Sequence, residues 1–196
     1  MKNMTRTLAA AAALAALASF APVASATVLT FDDIGSADFV PANYGGLDWS
    51  SSTWLSFENL PADGTPYTPH SGTWVVGADW GSSDADTTIR FSTASHFDGA
   101  WFSGYDTSSV SFELYLGNQF VGTSATLATS ATSTFLSAGY SGLVDKVVVS
   151  SNAHAFYAMD DFTFTAAVPE PETYALMLAG LVAVGAFVRV SARRRA

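Results

Sequence analysis

The stretch VSFELYLGNQFVGTSAT, Val110–Thr126, decides the fold class. Val110, Phe112, Leu114 and Leu116 fall on one side of an extended chain, and Ser111, Glu113 and Tyr115 on the other. This period of two belongs to a strand with one face in a core and one in water. Gly117-Asn118 follows, two residues suited to the left-handed conformations of a tight hairpin, and the chain resumes as QFVGTSAT. Working outward, TVLTFDD (27–33), TWVVGADW (73–80), TTIRFS (87–92), GAWFSGY (99–105), DKVVVSS (145–151) and FYAMDDFTFT (156–165) read as further short strands, parted by Gly, Ser, Asp and Pro. No stretch of this region carries a helical period. The expected fold is therefore all-β, an antiparallel β-sandwich of jelly-roll type. The longest loop is ENLPADGTPYTPHSG, Glu58–Gly72, with three prolines and two glycines.

The ends read differently. Residues 1–26, MKNMTRTLAAAAALAALASFAPVASA, have the plan of a secretory signal peptide. Lys2 and Arg6 supply the positive region, Leu8 to Phe20 the apolar one, and Ala24-Ser25-Ala26 the small residues that a signal peptidase reads. Residues 174–190 are apolar apart from Arg189. Tyr174 to Val188 alone would make a helix of roughly 22 Å, short of the ~30 Å hydrocarbon core. With a snorkelling Arg189 and Val190 it reads as a short transmembrane helix, and Arg193, Arg194 and Arg195 then form a cytoplasmic basic end. The division expected is 1–26 signal peptide, 27–166 sandwich, 167–196 tail.

Charge narrows the function. Between the ends only Arg90 and Lys146 are basic, against fifteen acids, so residues 27–168 carry about −13. Nucleic acid, which needs clustered Lys and Arg, is excluded as a partner. The absence of cysteine removes a thiolate nucleophile, a thiolate metal site and a disulfide framework together.

The tail carries a family resemblance. Val168-Pro169-Glu170-Pro171-Glu172-Thr173, then an apolar run, then arginines, resembles the PEP-CTERM sorting tail, also called the ice-binding protein C-terminal domain. Val168, Pro169, Glu170 and Pro171 are the sorting motif it implies. The two prolines would hold Glu170 extended at the membrane surface. The resemblance implies processing by an exosortase, transit as an inner-membrane-anchored species, and a destination at the surface or in the matrix of a Gram-negative, exopolysaccharide-making, biofilm-forming cell. In the body, LTFDDI, YGGLDW, FDGAWFSGY and FYAMDDFTF are similar to exported domains that precede such tails, relatives of galactose- and carbohydrate-binding jelly rolls. That likeness implies fold, compartment and a lean toward sugar.

Four acids and two aromatics are the candidate site residues. Closure of the sandwich is expected to bring the first and last strands together, and with them Asp32, Asp33, Asp160 and Asp161. A Ca²⁺ taking carboxylate and carbonyl oxygens would relieve their repulsion, and solvated strand ends are the plain alternative. Of the five Trp, seven Tyr and fourteen Phe, the core should claim most. Tyr67 and Trp80, set among Gly, Pro and Asp, are expected to be exposed and are the candidates for stacking on sugar faces. His70, His96 and His154 show no metal-ligand spacing, and no G-x-S-x-G elbow is present. The Thr/Ser/Ala run Thr123–Thr134 is too short and irregular for an ice-binding array. The expectation is an exported, exosortase-sorted protein, structural or binding in association with exopolysaccharide, and not an enzyme. Its alternatives are a glycoside hydrolase or lyase on the same fold and a purely structural matrix protein without a ligand.

Overall fold

The computed structural model describes residues 25–60, 62, 64–80, 86–153, 156–167, 177 and 179–182. Twelve strands lie in the compact unit Ser25–Ala167: β1 (Ala26–Leu29), β2 (Asp38–Phe39), β3 (Leu47–Asp48), β4 (Trp54–Glu58), β5 (Trp74–Ala78), β6 (Asp86–Gly104), β7 (Ser109–Leu116), β8 (Gln119–Thr123), β9 (Leu127–Ala128), β10 (Thr134–Ser137), β11 (Leu143–Ser151) and β12 (Tyr157–Ala166). They form one hydrogen-bonded sheet in the order β2-β4-β5-β12-β6-β11-β7-β8, with β1 on β12, β3 and β10 on β6, and β9 on β7. Each of these pairings is antiparallel.

The long strand β6 joins two layers. Its first part pairs with β11 through Thr87↔Val149 and Arg90↔Lys146, and its second part with β12 through Trp101↔Asp160 and Gly104↔Tyr157. The layers then pack face to face. Phe102 of β6 meets Phe112 of β7 at 5.6 Å between ring centroids, and Phe97 meets Phe112 at 4.8 Å. Trp54 of β4 donates its indole N–H to the carbonyl of Thr88 across the core (3.3 Å). In β7, Val110, Phe112 and Leu114 are all within 1% of full burial, as the alternation requires. Leu116, at the hairpin end, is 38% exposed instead. Asn118 takes φ +67, consistent with the two-residue hairpin turn between β7 and β8. One reading is corrected: TTIRFS and GAWFSGY are not separate strands but two stretches of β6, whose 19 residues stay extended through a polar centre.

The first and last strands are neighbours, with Leu29 opposite Phe162 and Ala26 opposite Thr165. The signal peptide, the sorting motif Val168–Pro171 and the arginines 193–195 lie outside the described residues. So does most of the expected span: Met177 and residues 179–182 are helical, and among the described residues no helix is long and apolar enough to cross a membrane.

Candidate functional site

The site is built on the outer face of the layer containing β4, β5 and β12. Residues 59–73 leave β4 and return to β5, and the loop is closed at its base by Asn59 N–H donating to the Thr73 carbonyl (2.8 Å). Thr65 donates its hydroxyl to the Asn59 side-chain oxygen. This loop is a strap whose middle folds back onto the sheet. Tyr67 at its centre packs with Phe57, Val75 and Ala158 in a second hydrophobic cluster, apart from the main core. Tyr67 is therefore only 6% exposed, which corrects the expectation of an exposed ring. Proline and glycine neighbours mark a turn, but the apolar outward residues Val75 and Ala158 give the turn something to cover. The Tyr67 hydroxyl is hydrogen-bonded to that of Tyr105, and burial first, then that neighbour, pushes its pKa up to about 12.

Carboxylates hold the returning end of the strap. Asp160 accepts the backbone N–H groups of His70 (2.7 Å) and Ser71 (2.8 Å) on one oxygen, and that of Asp161 (2.7 Å) on the other. Asp161 meets the His70 ring at Nδ1 (2.5 Å) and accepts the Ser71 hydroxyl (2.7 Å). Asp32 accepts the N–H groups of Thr73 (2.9 Å) and Trp74 (3.2 Å). Successive strand residues ordinarily point to opposite faces, yet Asp160 and Asp161 both reach the strap. A bulge explains it: Asp160 is opposite Trp101 and Thr163 opposite Gly99, which leaves one extra residue on β12. Asp161 takes φ +46, so Phe162 still points into the core. Gly72 sits at φ +50, where an added Cβ would lie 1.9 Å from an Asp32 carboxylate oxygen, so close approach and backbone conformation both require glycine.

Burial pushes the Asp160 carboxyl up to about 6, aided by the neighbouring Asp161 charge and opposed by the three N–H donors. Three of the four predicted acids thus converge, Asp32 and Asp160 on backbone N–H groups and Asp161 on the His70 ring and the Ser71 hydroxyl. Asp33 stands apart and accepts the Tyr44 hydroxyl, whose pKa is raised by burial and by that carboxylate. Among the described residues no group of three or more His, Asp and Glu side chains is placed to hold a metal ion. The groups that meet Asp32, Asp160 and Asp161 are N–H and O–H donors and the His70 ring.

The aromatic side chains make a continuous stripe. Trp80 lies 6.2 Å from Phe57, Phe57 5.6 Å from Tyr67, Tyr67 5.6 Å from Tyr105, and Tyr105 5.3 Å from Phe156. Trp80 is 62% exposed, Phe156 49% and Tyr105 40%, so both ends of the stripe meet solvent while Tyr67 anchors the middle. Beside it the His70 ring stacks on Trp101 at 3.5 Å, and Trp101 meets Phe135 at 5.7 Å. Of the two sugar-contact candidates, Trp80 is exposed as expected and Tyr67 is its buried support. Tyr105 and Phe156 were missed because they are 51 positions apart in sequence; the pairing of β6 with β12 and the bond from Tyr105 N–H to the Phe156 carbonyl (3.1 Å) bring them together.

Residues 167–195 match the family model described as the PEP-CTERM protein-sorting motif. What the fold and tail define together is an antiparallel all-β body followed by a sorting tail of that kind. No curated protein matches the chain. Among solved structures it is similar to a carbohydrate-binding module of family 29, at 9% identity over 74% of this chain and 90% of that one, with a TM-score of 0.41. Two single-residue variants of the CBM29-2 module, studied for ligand recognition, are similar at 10% identity over 73% of this chain and 93% and 92% of theirs, each with a TM-score of 0.41. Likenesses this distant carry no inference about a ligand.

Proposed function

We propose that this chain is an exported protein of a Gram-negative cell, sorted by an exosortase through its tail, whose jelly-roll-type sandwich binds polysaccharide at the aromatic stripe. The tail match supports the sorting. A single observation carries the binding: three partly exposed rings, Trp80, Tyr105 and Phe156, are linked in one stripe through Phe57 and the buried Tyr67. Sugar rings have apolar C–H faces, and an aromatic ring held in place by its own core meets them with little loss of side-chain freedom. Exopolysaccharide is the ligand class that the tail's setting offers. The role in this reading is binding, with the buried carboxylates Asp160 and Asp161 engaged in holding the strap.

The test is a polysaccharide-binding screen with product analysis. Retention by a polysaccharide without new reducing ends or unsaturated products, and lost in Trp80→Ala with Tyr105→Ala, is the expected result. Products would establish the hydrolase or lyase alternative. No retention across the screen would leave a structural matrix protein.

A further inference from the structure

The charge around the stripe selects among polysaccharides. Both basic side chains of residues 27–168 lie on the other layer. Arg90 pairs in register with Lys146 there, and its Nε donates to the Ser51 hydroxyl (3.1 Å). The Lys146 ammonium sits 3.6 Å over the Tyr115 ring. Neither reaches the face that carries Trp80, Phe57, Tyr67, Tyr105 and Phe156. Acids flank three of these rings in the chain: Glu58 beside Phe57, Asp79 beside Trp80 and Asp106 beside Tyr105. Glu58 and Asp106 are exposed, and Asp79 is half-buried. Asp160 and Asp161 lie beneath the same strap, where Asp160 accepts backbone N–H groups and Asp161 meets the His70 ring.

An anionic polysaccharide bears a carboxylate on many of its sugars. To bind tightly each would need an arginine fork, a lysine or a metal ion opposite it. Neither arginine nor lysine of residues 27–168 is placed on this face, and three acids are sequence neighbours of its rings. An uncharged sugar meets only the rings and the neighbouring polar groups, and its binding is indifferent to that field.

We propose that the stripe takes neutral polysaccharide and rejects uronate-bearing polysaccharide. This rests on the reading of the stripe as a polysaccharide site. The experiment is affinity measurement of the purified chain on a neutral glucan and on a polyuronate, with a chelator present, at low and at high salt. Trp80→Ala with Tyr105→Ala is measured on both ligands. Neutral binding should change little with salt and be about tenfold or more tighter than polyuronate binding at low salt. Replacing Glu58, Asp79 and Asp106 by Gln, Asn and Asn should raise polyuronate binding several-fold and leave neutral binding in place. If the polyuronate binds as tightly as the glucan at low salt, and the two ring substitutions abolish both, the charge inference is overturned while the stripe remains the site. If neither ligand binds, or the ring substitutions change nothing, the site itself falls and the inference with it.

Discussion

The two layers share one sheet and one alternation, yet their outer faces are opposites. On the layer of β11 and β7 the outward positions include Ser111, Glu113, Tyr115, Asp145 and Lys146, a half-buried, mixed-charge set, with a single buried valine, Val148, opposite Glu113. On the layer of β5 and β12 they include Val75 and Ala158, both fully buried, because Tyr67 of the strap packs on them. A period of two dictates that some residue points outward and does not dictate what that residue is. Where the outward residues are Val75 and Ala158, Tyr67 packs on them in a second cluster, and the aromatic stripe is the visible edge of it.

Substitution on each face sharpens the contrast. Tyr67→Ala removes the centre of the second cluster and should cost about 3 kcal/mol in chemical unfolding. The same truncation at Tyr115, half-buried on the other face, should cost about 1 kcal/mol. Equal losses would mean that the strap is not held by its tyrosine.

Acidity should act on the strap face. The Asp160 carboxyl sits at about 6 in the folded chain, above its ordinary value of 3.8, so the folded chain holds this proton more tightly than the unfolded one. Its contribution is fully present below about pH 4 and is lost as pH rises through 6, an effect on the order of 3 kcal/mol at most. Urea midpoints between pH 4 and 7 should carry this component, and Asp160→Asn should flatten it. An unchanged profile in the variant would place the titration elsewhere.

Smaller effects separate the glycines and the ions. Gly72→Ala drives a Cβ into the Asp32 carboxylate at a positive φ and should lower stability by about 2 kcal/mol. Gly35→Ala, at φ +62 with nothing within 4 Å, should cost only the backbone strain of about 1 kcal/mol. Thermal unfolding in CaCl₂ should match that in NaCl of equal ionic strength, because the strap donors already occupy the carboxylates. A Ca²⁺-selective rise lost in Asp161→Ala would instead support the cation site that the acid pairs suggest.

Sequence made part of this legible. The β7–β8 hairpin follows from alternation and Gly117-Asn118, and the meeting of Asp32 with Asp160 and Asp161 follows from pairing of the chain ends. The continuity of β6 was hidden because Ser92–Gly99 looks like a turn, and its extension depends on partners β10, β11 and β12 that lie far along the chain. The parting of Asp33 from Asp32 and the bulge that turns Asp161 toward the strap are set by backbone conformation at single residues, which no periodicity records. Tyr67 was misplaced for the opposite reason: its local sequence signals a loop, and only the tertiary surface beneath decides that the loop lies down.

The most direct test compares the two faces in one assay. Affinity for a neutral polysaccharide is measured for the unsubstituted chain, for Trp80→Ala with Tyr105→Ala, and for Phe120→Ala, a 58%-exposed ring on the opposite layer. The account predicts a loss of about tenfold or more in the stripe variant and none beyond error at Phe120, with thermal midpoints of the Trp80 and Phe120 single variants unchanged. Undiminished affinity in the stripe variant, or an equal loss at Phe120, would contradict it.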